Sequence, residues 1–175
     1  MPIRRVFALG LDYFLIAAYL VILAGISVTV LASNLRSVYT AAWSNAWSAE
    51  LAGFLLLTVP VVLYFALFES SPAGATLGKR ALRLRVIKLD GQQLGLGEGL
   101  LRSAIKFLPW ELAHFTVWQV IYGSTSHAKL PAWAGVSLAV VYLVVAAYLV
   151  TLFVGRAHRT IYDRIAGSRV ILLAR

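Results

Sequence analysis

The chain has 175 residues, of which 61% are hydrophobic and 13% charged, with 16 Lys and Arg against 7 Asp and Glu. Charge at about half the ~25% of ordinary soluble domains, with a mean hydropathy of +0.82, excludes a water-soluble globule, because a chain this short cannot bury so much apolar surface. The absence of Cys excludes disulfides, thiolate metal sites and thiol catalysis.

Four apolar stretches follow in chain order, and a membrane-crossing helix needs roughly 20 such residues. The first spans 6–31. It is too long for the ~7–15-residue core of a cleaved signal peptide, and it contains Asp12, so it reads as a retained helix. The connection 34–50 carries Tyr39, Trp43 and Trp47, residue types that favour the headgroup level, and is expected to hold a short helix on the membrane surface. The second stretch, 51–68, is just long enough and contains Pro60. A loop over 69–98 follows. Ser70-Ser71-Pro72-Ala73-Gly74 ends the helix, Leu82 to Leu89 reads as a strand, and Asp90-Gly91 is a hairpin turn with Gln93 and Leu94 in the return strand. The third stretch, 99–122, is interrupted by Arg102, Lys106, Pro109, Glu111 and His114. It reads as a crossing helix, with an interfacial amphipathic helix or a dip into one leaflet and back as the alternatives. The fourth, 133–154, has no charge, and in the tail 155–175 a strand is expected from Ser168 to Leu173. Together these elements predict one domain over 1–175. Its expected class is an all-α integral membrane fold: a four-helix transmembrane bundle with a small cytoplasmic β-hairpin or short sheet.

The charge distribution orients that bundle. The 69–98 loop holds Lys79, Arg80, Arg83, Arg85 and Lys88, and the tail holds Arg156, Arg159, Arg164, Arg169 and Arg175, whereas the other two connections carry Arg36 and Lys129 alone. Basic residues are retained on the cytoplasmic side, so four spans place both termini and the basic loop in the cytoplasm of a bacterial cell, in its inner membrane. This one-sided pattern also argues against nucleic-acid binding, which spreads cations over a soluble face.

Asp12 is the first candidate site residue. It lies seven residues after Arg5, two helical turns or about 10.5 Å along the axis. The two share a face but cannot bond directly in a straight helix. An ionised residue at membrane depth needs a partner, so Asp12 either pairs with a cation of another segment and locks the bundle, or moves an ion or proton. Glu111 and His114, three apart on one helix face, suggest a proton relay; the competing reading is an internal network of Glu111 with Lys106 and Asp12 or Glu69. Glu-x-x-His is half of a di-metal pattern that needs a second copy on another helix, and none is present, so no metal or other cofactor is expected. Gly78-Lys79-Arg80 lacks the spacing and hydroxyl of a phosphate-binding loop. Lys79, Arg80, Arg83 and Arg85 are expected to contact anionic lipid headgroups.

In their order along the chain, these motifs resemble the RDD family of bacterial membrane proteins, named for one arginine and two aspartates. The resemblance rests on Arg5 before the first helix and Asp12 within it, on Thr76-Leu77-Gly78-Lys79-Arg80 with Leu84-Arg85-Val86 and Asp90-Gly91, and on Tyr162-Asp163-Arg164-Ile165-Ala166-Gly167 with Val170-Ile171-Leu172. It implies Arg5, Asp12 and Asp163 as the characteristic charges. It also implies a role in transport, since some members are described as cation/proton antiporters. Pro109 to His114 departs from the general pattern. The expected function is transport of a small cation or proton-coupled ligand by a homo-oligomer. The alternative is a non-transporting structural or accessory protein whose charges lock the bundle; no enzymatic activity is expected.

Overall fold

In the computed structural model, residues 2–123, 131–155 and 157–173 are described. Helix α1 covers Pro2–Leu31, followed by the short α2 over Arg36–Ala42 and α3 over Ala46–Gly53. A π-helical turn, Phe54–Thr58, joins α3 to α4, Val59–Glu69, so that these form one long rod. The segment expected as a cytoplasmic loop contains α5, Leu77–Ala81, and strand β1, Leu84–Lys88. Then come α6, Leu96–Gly123, α7, Ala132–Val154, α8, Ile161–Ile165, and strand β2, Ser168–Leu172. Lys129, Arg156 and Arg175, which contribute to the charge asymmetry, lie outside the described residues.

Among the described residues, three helical rods are long and apolar enough to cross a membrane: α1, Ala46–Glu69 and α7. Helix α6, with 28 residues, is about 42 Å long but more polar. It is continuous, so the expectation of a dip and return within one leaflet does not hold. Phe107 of α6 meets Phe65 of α4 at 5.0 Å between ring centroids, while Phe115 and Trp118 meet Trp47 and Trp43 towards the opposite end. Helix α6 therefore runs the length of the α3–α4 rod and packs on α7 with its other side.

The distribution of polarity is the reverse of a soluble domain. Phe14 and Tyr142 are 76% and 73% exposed, whereas Arg102, Glu69, Asp12 and Asp163 are buried. The apolar core is small, centred on Ile16, Val61, Phe65 and Phe107. Apolar side chains can face outward only where the surroundings are themselves apolar, and ionisable groups then gather inside.

Both prolines in the long rods leave a carbonyl four residues earlier without its helical donor. In each case a tyrosine of a neighbouring helix fills the vacancy. Tyr19 of α1 donates to the Leu56 carbonyl, 2.5 Å away, opposite Pro60, and Tyr148 of α7 donates to the Ile105 carbonyl, 2.6 Å away, opposite Pro109. The expected hairpin is only half present. Gly91 N donates to Lys88 O at 3.1 Å and a single bridge links Ile87 to Gln93, but Gln93 and Leu94 form no strand. The partner of β1 is β2, antiparallel, with Val86 opposite Val170. Helix α6 begins at Leu96, too soon for a return strand, and the open edge of β1 is taken by the chain's other end.

Candidate functional site

At the sheet end of the bundle, five buried charged side chains from five segments form a chain of alternating sign. Arg5 of α1 donates through Nη2 to Asp163 Oδ2 at 2.6 Å. Arg102 of α6 reaches Asp163 Oδ1 through Nη2 at 2.6 Å and Nε at 3.0 Å, and through Nη1 it pairs with Glu69 Oε2 at the end of α4. Lys79 of α5 completes the chain with Nζ 2.6 Å from Glu69 Oε1. Glu69 and Asp163 are both 0% exposed.

Local sequence explains how Asp163 comes to the centre. Thr160 and Asp163 form the capping box of α8: the Thr160 hydroxyl accepts from Asp163 N at 3.4 Å and Asp163 Oδ2 accepts from Thr160 N at 3.0 Å. The carboxylate thus starts the helix and receives two guanidiniums at once, which leaves no lone pair open. Burial alone would raise the Asp163 carboxyl. The guanidiniums of Arg102 and Arg5 outweigh burial and hold it well below the usual carboxylate range.

Asp12 is not part of this ionic chain. Its Oδ1 accepts from Gly78 N and from the Tyr64 hydroxyl, each at 2.8 Å, and its Oδ2 accepts from the Thr76 hydroxyl at 2.7 Å. Tyr64 in turn accepts from Leu77 N at 3.1 Å. Asp12 therefore fastens the first turn of α5 to α1. A carboxylate is favourable there because it meets unpaired N–H groups. Gly78 makes the approach possible: a Cβ at this position would collide with the Ala8 backbone carbonyl and lie 2.9 Å from Asp12 Oδ1. The expectation that Asp12 pairs with a cation is therefore corrected; neutral donors satisfy it.

The chain matches the RDD family model over residues 1–167. It belongs to the RDD family. No curated protein and no solved structure matches it. The three charges that the resemblance implied, Arg5, Asp12 and Asp163, divide between two tasks. Arg5 and Asp163 join the ends of the chain, and Asp12 anchors α5.

The other expected site residues of this RDD protein fall elsewhere. Lys79, expected at the headgroups, is buried against Glu69 instead, because the turn from Thr76 directs it inward. Arg80, Arg83 and Arg85 lie at or near the surface of the sheet end. Arg80 stacks on Phe68 at 5.8 Å, Arg85 donates to the Pro72 carbonyl at 2.9 Å, and Arg83 adopts a left-handed conformation, φ 58°, that turns α5 into β1. Glu111 and His114 lie further along α6. Glu111 accepts from the Thr58 hydroxyl in the π-helical turn and hydrogen-bonds Glu50 of α3. His114 packs edge-on against Trp110, 4.7 Å between centroids, and its Nδ1 has no partner. The expected network of Glu111 with Lys106 and Asp12 or Glu69 is not formed. Lys106 sits 3.3 Å above the Phe65 ring, and among the described residues it makes no ion pair. Among those residues no cluster of three His, Asp or Glu could hold a metal.

Two roles were not legible beforehand. Arg102, the largest fully buried side chain, links two carboxylates. In the sequence it is one of several charged residues that interrupt the third stretch, and nothing there singles it out. Glu50, at the polar edge of the second stretch, pairs with Glu111 across helices, and nothing in the local pattern pointed to that.

Proposed function

We propose that the chain is a four-span membrane protein in which the buried charges are structural, locking a polar cap of α5, α8 and the two-stranded sheet onto the helix ends. The observation that carries this reading is that its three buried carboxylates all have a donor on each oxygen. Asp163 has all its acceptor positions filled, Glu69 has a cation on each oxygen, and Asp12 accepts three hydrogen bonds at 0% exposure. A carboxylate that must capture and release an ion needs an accessible open position; Asp163 keeps no acceptor site free, and Asp12 and Glu69 are fully buried with a donor already on each oxygen. In this reading α6 is the fourth span. The cap then lies on the cytoplasmic side of a bacterial inner membrane, as the positive-inside rule favours. Arg80, Arg83 and Arg85 face anionic headgroups, and no catalysis or cofactor is involved.

A second reading, transport of a small cation or a proton-coupled ligand, is supported by a separate observation. Glu50 and Glu111 are hydrogen-bonded to each other beside a π-helical turn, and Glu50 Oε2 and His114 Nδ1 are unpartnered. Two neighbouring carboxyls in an apolar span are a natural place to hold and pass a proton, and π-turns recur at functional sites. Here Glu50, Glu111 and His114 would carry the proton, Asp12 would not, and a homo-oligomer would supply the remaining wall.

Liposomes containing a pH dye distinguish the two under imposed sodium, lithium or potassium gradients. The structural reading expects no cation-driven proton flux, and a lowered melting temperature for Asp12→Asn. Flux in the wild type that disappears in Glu111→Gln, with the fold intact, would replace it with transport.

A further inference from the structure

A cavity of about 340 Å³ lies on the inner side of the ionic chain, between α1, α6 and α7. Its polar end is lined by Arg5, Lys79, Arg102 and Lys106, with no carboxylate among its lining residues, and its walls include Leu9, Trp110, Val145 and Leu149. Three of the four cations already hold carboxylates, but Lys106 does not: its ammonium lies over Phe65 and Phe107 and reaches the cavity. Among the described buried side chains at this end of the bundle, four basic groups (Arg5, Lys79, Arg102 and Lys106) face three carboxylates (Asp12, Glu69 and Asp163), so a protonated Lys106 is one positive charge in excess. An ammonium without a carboxylate partner in a low-dielectric interior is costly: it either gives up its proton or keeps it where an anion binds beside it.

The walls indicate what kind of anion. Val145 and Leu149 of α7 line the cavity and are 41% and 48% exposed. The cavity is therefore continuous with the surface that would meet lipid. Its volume is at the lower end of the ~300–1,000 Å³ typical of ligand sites, enough for an anionic head and part of one chain. A free inorganic anion would leave the apolar walls unused, and a two-chain phospholipid would exceed the space.

We propose that this cavity binds a single-chain anionic amphiphile, its carboxylate or phosphate on Lys106 and Arg5 and its chain leaving between α1 and α7 into the bilayer. The site is independent of whether the protein transports anything.

Native mass spectrometry of the full-length protein released from detergent tests this with palmitate, lysophosphatidic acid, lysophosphatidylcholine, a diacyl phosphatidylglycerol and inorganic phosphate as probes. Palmitate or lysophosphatidic acid is expected to bind about tenfold tighter than lysophosphatidylcholine, the effect of one charge-assisted contact. Which of the two is preferred identifies the head as carboxylate or phosphate. Lys106→Gln is expected to abolish that preference and Lys106→Arg to retain it. Val145→Trp, which fills the cavity from a lipid-facing position, serves as the second variant should Lys106→Gln not fold, and is expected to weaken binding of every single-chain probe. Three results overturn the proposal: no preference for the anionic head, undiminished binding in folded Lys106→Gln or Val145→Trp, or Lys106-dependent binding of phosphatidylglycerol or inorganic phosphate that matches the single-chain anions.

Discussion

Replacing Gly78 by alanine adds one methyl group where α5 crosses α1, and it is expected to be among the most damaging small changes in the protein. The new Cβ would lie 2.9 Å from Asp12 Oδ1 and 3.0 Å from its Cγ, and closer still to the Ala8 backbone oxygen, which cannot rotate away. Helix α5 must therefore withdraw. The 2.8 Å bond from Gly78 N to Asp12 is lost first. A hydrogen bond to a charged acceptor contributes about 1.5–3 kcal/mol, and overpacking adds about 1–3 kcal/mol. Alanine's better helix propensity returns about 1 kcal/mol. The net loss is about 3 kcal/mol, equivalent to about 6–12 °C in melting temperature for a chain of this size. Gly10→Ala is the matched control, because its Cβ would meet nothing within 4 Å; it is expected to be neutral or slightly stabilising. The measurement is the thermal loss of the monodisperse peak in one fixed detergent. If Gly78→Ala melts together with Gly10→Ala, α5 does not depend on close approach to α1, and the anchoring role assigned to Asp12 is wrong.

Three further outcomes are expected. Asp163→Asn leaves Arg5 and Arg102 buried without their shared carboxylate, at a cost of about 3–5 kcal/mol, read as the same melting shift. Because the folded Asp163 titrates below its unfolded value of ~3.9, its contribution is complete above that value and is lost as pH falls through the lower folded pKa. Hydrogen-exchange protection factors in Thr160 to Leu172, taken relative to the intrinsic rate at each pH, should therefore be flat from pH 7 to about 5 and fall only under strongly acidic conditions; a fall already near pH 6 would contradict the sign of the shift. Tyr148→Phe removes the donor to Ile105 O and should cost about 1 kcal/mol. In the Pro109→Ala background the helix supplies its own donor, so most of that cost should vanish in a double-mutant cycle.

Hydropathy is a local sum, and it located the long rods well: 6–31 against α1 and 133–154 against α7 needed little revision, and α6 contains 99–122. Turn chemistry was legible for the same reason. Asp90-Gly91 does turn the chain, and the order of short motifs pointed to the family that the comparison then established. The sequence alone also required that Asp12 find partners, because the cost of an unpaired ionised group in an apolar helix does not depend on neighbours. Tertiary structure decided which partners. Arg5 meets Asp163 across 158 positions and Arg102 meets it across 61, pairings set by which helix ends converge and not by spacing along one helix. The β1–β2 pairing was undetermined in the same way, since two strands of similar pattern satisfy each other only once the bundle brings the chain ends together. Lys79 shows the limit most clearly: in sequence it is one of a surface run of cations, and only the inward turn at Thr76 places it against Glu69.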